Sequence, residues 1–212
     1  MEKRVSFRNT RGLRLAGLLW LPEGTPPFPV VAFAHGLYSG KDSSRNQMIA
    51  SRLLERGIGS LLLDFTGHGE SDGAINEDTL IEDQADDLGA ALSFLEEQAE
   101  VDAGRIGVSG SSSGAAMAIV RAGADPRIRC LVLRAPSVSG ILTVARYVQA
   151  PTLVITGGED VPILRDSRAL MEMLAGEKRL EVVRGAGHLF EGLEQMEEAT
   201  ELTVDWFAKQ LQ

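Results

Sequence analysis

The pattern with the most chemistry in it is Gly110-x-Ser112-x-Gly114, which follows the apolar run Arg105-Ile106-Gly107-Val108 and precedes an alanine-rich, helix-like segment. A serine on a sharp strand-to-helix turn presents its hydroxyl at the top of a sheet, and small residues two positions to either side let strand and helix approach. The helix that follows would aim its free N–H groups and positive dipole end at the serine, where negative charge would build. The neighbouring frame, Gly107-x-Ser109-x-Ser111, lacks the second glycine. Ser112 is therefore the candidate nucleophile.

A serine hydroxyl is a weak nucleophile and needs a base. The chain has three histidines, His35, His68 and His188. The elbow pattern implies the order serine, acid, histidine, and only His188 follows Ser112. It sits in Gly185-Ala186-Gly187-His188, a loop that glycine lets bend inward. A third group must hold the imidazole in the right tautomer. The stretch Thr156-Gly157-Gly158-Glu159-Asp160-Val161-Pro162 offers Glu159 and Asp160. Asp160 is preferred because it stands just before the turn into the next helix, where it can also serve as an N-cap. The rival position, Arg134-Ala135-Pro136-Ser137, offers no acid.

Two backbone amides complete the expected site. The run Phe33-Ala34-His35-Gly36-Leu37-Tyr38 places the Leu37 N–H where it can face a developing oxyanion, and the Ser113 N–H is the second donor. His35 is expected to order its loop and not to act as a base. The stretch from Asp64 to Asp72 is dense in glycine and short polar residues. It reads as a tight loop stitched by side-chain bonds to the backbone, with His68 structural.

These residues need a scaffold that gathers them. Short apolar runs recur at Val30–Ala34, Ser60–Leu63, Arg105–Val108, Cys130–Leu133, Thr152–Ile155 and Leu180–Val183. Most are apolar on both faces, as strands sandwiched between helices must be, and the last is mixed, as suits an edge. Helix-like stretches lie between them, at Asp42–Arg56, Thr79–Glu97, Ser112–Ala124, Ile163–Leu174 and Leu193–Leu211. Two further strands precede them, Lys3–Phe7 and Arg14–Leu21. Alternation of this kind predicts an α/β fold with a mostly parallel sheet and helices on both faces. Chemistry in such sheets sits at the carboxyl ends of the strands, where the candidate residues fall.

The 212 residues suit one α/β domain over 1–212, and 44% hydrophobic with 24% charged residues fits a globular chain. A net charge of −9 makes nucleic acid a poor partner. One cysteine, Cys130, allows neither an intrachain disulfide nor a cysteine-based zinc site. The N-terminus lacks the apolar run of a signal peptide and no stretch is long enough to span a bilayer, so a cytoplasmic location is expected. Gly36-Leu37-Tyr38-Ser39-Gly40-Lys41-Asp42 misses the phosphate-loop spacing, and Asp42 replaces its Ser or Thr. No cofactor and no metal are implied.

Together these motifs resemble the α/β-hydrolase superfamily over nearly the whole chain. They are His35-Gly36, Asp64-x-x-Gly67-His68-Gly69-x-Ser71, Gly110-x-Ser112-x-Gly114, Gly157-x-x-Asp160 and Gly187-His188, in the family's order. The chain is most similar to the small lidless bacterial esterases related to dienelactone hydrolases and serine-aminopeptidase-like hydrolases. The resemblance implies about eight strands, with Ser112, Asp160 and His188 as nucleophile, acid and base. Two departures stand out. Dienelactone hydrolases commonly use cysteine where this chain has Ser112, and only Ala135–Ala150 is available where relatives insert a cap domain. An uncapped, shallow site would take a small-molecule ester with a short acyl chain. A thioester, lactone or peptide bond, or a ligand held without catalysis, are the alternatives. Tyr38, Ile141, Leu142, Val161 and Phe190 are the candidate lining residues. Leu170, Met171, Met173 and Leu174 are expected in the core or on a helix surface.

Overall fold

The computed structural model describes residues 1–76 and 80–212. Eight strands form one sheet: β1 (Glu2–Arg8), β2 (Arg14–Trp20), β3 (Phe28–Ala34), β4 (Gly59–Leu63), β5 (Val101–Ser111), β6 (Ile128–Arg134), β7 (Thr152–Gly157) and β8 (Lys178–Val183). Among the described residues five α-helices accompany them: α1 (Ser44–Glu55), α2 (Leu80–Glu96), α3 (Ser113–Ala122), α4 (Val161–Met173) and α5 (Leu193–Leu211). Thr79, the expected start of the second helix, lies outside the described residues.

The strand order is β1-β2-β4-β3-β5-β6-β7-β8. The first two strands run antiparallel to their neighbours, and all other pairs are parallel. From β3 the chain first steps outward to β4, then returns to place β5 on the other flank of β3. That reversal opens a crevice above the carboxyl ends of β3 and β5, the position at which open α/β sheets bind ligands.

The central strands read as unbroken apolar runs because both of their faces are covered. In β3, Val30, Ala32 and Ala34 join one core, while Val31 and Phe33 join the other. Strand β6 repeats this, with Leu131 and Leu133 on one side and Cys130 and Val132 on the other. The strand period of two therefore feeds two hydrophobic layers. Helices α2 and α3 cover the first layer, and α1 and α5 the second, through residues such as Leu88, Leu92 and Ile119 against Ile49, Leu53 and Phe207. Leu170 and Leu174 are buried in the first layer, and Met171 and Met173 pack on it.

Strand β5 extends beyond the expected Arg105–Val108. Its polar end stays in the ladder, with Ser109 opposite Phe33 and Gly110 opposite Ala34. Backbone pairing to strands on both flanks holds those residues extended despite their polar side chains, and Ser109 is fully buried. Between β6 and β7 the chain forms only a short 3-10 turn at Leu142–Tyr147, with no cap domain. Among the described residues no helix is long and apolar enough to cross a membrane. The architecture is the α/β-hydrolase fold.

Candidate active site

Ser112 stands between β5 and α3 with φ 53° and ψ −120°, a left-sided conformation that a side chain ordinarily avoids. Close packing around it enforces this. A Cβ on Gly110 would lie 2.7 Å from the Ala115 Cα, and one on Gly114 would lie 2.2 Å from the Ala34 carbonyl oxygen. Both glycines are thus steric requirements of the turn. The backbone of Ser112 is also clamped, since its N–H donates to the Arg134 carbonyl at 2.9 Å and its own carbonyl accepts from Ser137 at 3.1 Å.

The hydroxyl of Ser112 lies 3.0 Å from His188 Nε2. His188 Nδ1 lies 2.6 Å from Asp160 Oδ2. A carboxylate only accepts, so the ring proton sits on Nδ1, and Nε2 is left to accept from the serine hydroxyl. Asp160 is the N-cap residue of α4, yet its side chain makes no capping bond. Glu159 is exposed, and its backbone N–H donates to the Ala186 carbonyl at 2.9 Å. That bond, with Gly158 N–H to the Val183 carbonyl at 2.9 Å, ties the Asp160 loop to the His188 loop. Three side chains far apart in sequence are therefore brought into one hydrogen-bonded chain above the sheet.

The two expected oxyanion amides flank the serine. The Leu37 N–H donates to the Ser113 hydroxyl at 2.8 Å. The Ser113 N–H belongs to the first turn of α3, where no intrahelical acceptor exists. Loop 36–41, which carries Leu37, is pinned by the buried Asp64. That carboxylate accepts from the Lys41 backbone N–H at 2.7 Å and from Lys41 Nζ at 2.9 Å.

The other two histidines lie outside this chain of bonds. His35 Nε2 accepts from the Phe65 N–H at 3.1 Å, so its proton is on Nδ1, which donates to the Gly36 carbonyl at 2.8 Å. Burial pushes His35 down to about 4 against that bond, with His68 adding to the shift. His35 therefore stays neutral at neutral pH and fastens the β3 loop to the β4 loop. His68 Nδ1 donates to the Thr66 carbonyl at 3.0 Å, within its own loop. Side-chain bonds do stitch that loop: Ser71 Oγ donates to the Asp64 carbonyl at 2.6 Å, and the Thr66 N–H donates to Asp87 at 2.7 Å.

A cavity of about 400 Å³ opens beside Ser112. Tyr38 and Phe190 line it, as expected. Ile141, Leu142 and Val161 do not. Ile141 is buried in the core and Leu142 packs on it, while Val161 is 68% exposed at the start of α4. The sequence reading passed over Arg45, Asn46 and Arg134, which also line the cavity. An arginine at the carboxyl end of β6 was the visible signal, at the position searched for an acid.

Comparison with known proteins agrees with this architecture. The family described as serine aminopeptidase, S33, matches residues 25–147, more than half of the chain. A Mycobacterium tuberculosis protein named “Putative phosphoribosyl transferase” is 36% identical over 201 residues, covering 93% of this chain and 44% of that protein. A thiohydrolase of Aspergillus aculeatus is 33% identical over 132 residues, covering 62% of this chain and 41% of that protein. The chain thus spans less than half the length of these curated relatives. Among solved structures, a dienelactone hydrolase of Anabaena variabilis superposes with a TM-score of 0.87 at 27% identity, covering 100% of this chain and 99% of that one. The chain belongs to the serine aminopeptidase (S33) family within the α/β-hydrolase superfamily.

Proposed function

We propose that the protein is a serine hydrolase that cleaves short-chain carboxylic esters through an acyl-enzyme. The observation that carries this reading is the chain of bonds from Ser112 Oγ to His188 Nε2 at 3.0 Å and from His188 Nδ1 to Asp160 Oδ2 at 2.6 Å. In the first half-reaction Ser112 Oγ attacks the ester carbonyl carbon, and its proton passes to His188 Nε2. Asp160 stabilises the resulting imidazolium and keeps the ring oriented. The carbonyl oxygen becomes an oxyanion, met by the Leu37 and Ser113 amides; in doing so it replaces the Ser113 hydroxyl as the acceptor of the Leu37 N–H. The C–O bond then breaks, and the imidazolium returns its proton to the leaving alcohol. In the second half-reaction water, deprotonated by His188, attacks the acyl carbon; the bond from that carbon to Ser112 Oγ then breaks, the imidazolium returns its proton to Oγ, and the acid is released.

The small uncapped cavity favours short acyl chains, and its walls of Leu37, Tyr38, Leu189 and Phe190 supply apolar contact. Thioesters and lactones undergo the same acyl transfer, and the relatives named thiohydrolase and dienelactone hydrolase put both bonds in the substrate panel. The test is turnover of p-nitrophenyl acetate and butyrate beside a long-chain ester, a thioester and a lactone, with Ser112→Ala as control. The reading expects short esters to lead and the variant to lose several orders of magnitude. A preference for long acyl chains, or equal rates in the variant, would overturn it. Tight binding of the same compounds without turnover would instead identify a binding protein built on this fold.

A further inference from the structure

A cation without a counter-ion sits in the wall of the cavity. Arg134 is the last residue of β6, and the sheet register sets it opposite Ser111, next to the reacting serine. It is 4% exposed and lines the cavity. Its Nη2 donates to Asn46 Oδ1 at 2.6 Å, a neutral acceptor, and its Nε–H has no acceptor. Among the described residues no carboxylate pairs with it. Burial, and to a lesser degree the neighbouring Arg45, push its guanidinium down to about 10, which leaves it cationic at neutral pH.

Arg45 adds a second guanidinium to the same wall. It lies in the first turn of α1, which contains no acidic residue. A cation there opposes the positive end of the helix dipole, so it costs helix stability where an anion would add to it. Among the described residues no Asp or Glu lines the cavity. Yet the chain has 30 acidic residues against 21 basic ones. Two arginines and a helix N-terminus thus line the cavity beside Ser112, and among the described residues no carboxylate lines it with them. A buried charge without a partner is costly, and the missing group is one that arrives with the ligand.

We propose that Arg134 and Arg45 bind a carboxylate on the substrate, so that the preferred ester carries a second, free acid group a few bonds from the scissile carbonyl. A planar carboxylate matches the guanidinium fork, and in a half-closed cavity the pairing is screened less than on the surface. Recognition of this kind selects monoesters of short dicarboxylic acids over their neutral diesters. The inference rests on the hydrolase reading only in treating Ser112 as the reacting centre.

Calorimetry on Ser112→Ala separates binding from turnover. The probes are monomethyl glutarate, which is anionic, and dimethyl glutarate, which is neutral. The monoester is expected to bind roughly ten- to a hundredfold more tightly, the range set by hydrogen bonds to a charged group. Arg45→Gln and Arg134→Gln in the same background should each shrink that ratio, and so should high salt. Arg45 is half-buried on a helix, so its variant serves even if the Arg134 variant fails to fold. Equal binding of the two probes, or a preference that survives Arg45→Gln and high salt unchanged, would overturn the proposal. Charge preference in Ser112→Ala with no turnover by the unmodified protein would sink the hydrolase reading and leave this site standing. Turnover with no preference would do the reverse.

Discussion

Asp160 occupies the N-cap position of α4 but gives its carboxylate to His188, 2.6 Å from the ring nitrogen, and none of it to the helix. An aspartate at that position ordinarily binds the free N–H groups of the first turn and stabilises the helix by about 1 kcal/mol. Here that contribution is forgone, and the carboxylate fixes a tautomer instead. Pro162, near the start of the helix, partly offsets the loss by removing an N–H that would otherwise need a partner.

Asp160→Asn should therefore damage catalysis and spare the fold. The amide can present its NH₂ to Nδ1 and so favour the tautomer with the proton on Nε2, which cannot accept from Ser112. Ester turnover should drop by about four orders of magnitude. The melting temperature should move little, because no capping bond is lost. A variant with near-normal turnover would remove Asp160 from the mechanism.

Ser112→Gly should abolish activity and stabilise the protein. Serine at φ 53° holds a conformation that glycine adopts freely. Release of strain worth about 1–3 kcal/mol outweighs the 0.5–1 kcal/mol or so that glycine costs through the unfolded chain. Urea unfolding should show a net gain of about 1 kcal/mol. A loss of stability would mean that the turn is not strained.

His35 predicts a specific acid sensitivity. Its folded-state value is pushed down to about 4, whereas an unfolded histidine titrates near 6.5. Between those values the unfolded chain binds more protons than the folded one, so stability falls as pH drops through that window. Above it this group contributes no pH dependence. The loss over the whole window is about 3 kcal/mol. Protonated Nε2 would face the Phe65 N–H, donor against donor. His35→Asn should flatten the urea midpoint between neutral and mildly acidic pH. An equal slope in the variant would assign the sensitivity elsewhere.

Much of this arrangement was legible in the chain, and the part that was not has a physical reason. The Ser112 turn could be read because its glycines are demanded by local sterics, and local sterics leave a local pattern. His188 followed from chain order, and Asp160 from its place before a helix. Arg134 and Arg45 left no such pattern. They become neighbours only through the pairing of β5 with β6 and the docking of α1, so their shared cavity is a tertiary fact. The same limit explains Ile141 and Leu142, whose apolar side chains suit a pocket wall or a core equally well and which the packing assigns to the core. The end of β5 was hidden for a different reason. Ser109-Gly110-Ser111 reads as loop by side chain, but the flanking strands hold its backbone.

One anchor far from the serine should matter to stability alone. Asp87 is fully buried and accepts from Asn9 Nδ2 at 2.7 Å, Arg11 Nη2 at 2.8 Å and the Thr66 N–H at 2.7 Å. It joins the β1–β2 turn, the loop after β4 and helix α2. Asp87→Ala would remove these bonds together with a fourth, from Thr66 Oγ1 at 3.0 Å, would leave the buried Thr66 N–H without its acceptor, and should cost about 3 kcal/mol in chemical unfolding. A cost below about 1 kcal/mol would show that water or neighbouring carboxylates take over the bonds.

The central claim is that one serine among several is activated. Ser109, Ser111, Ser112 and Ser113 lie within five residues, and only the Ser112 hydroxyl is bonded to an imidazole. Treatment with a fluorophosphonate followed by peptide mass spectrometry distinguishes them directly. A single adduct on Ser112, absent in His188→Ala, is the predicted result. No adduct, an adduct on a neighbouring serine, or labelling that persists without His188 would contradict the account.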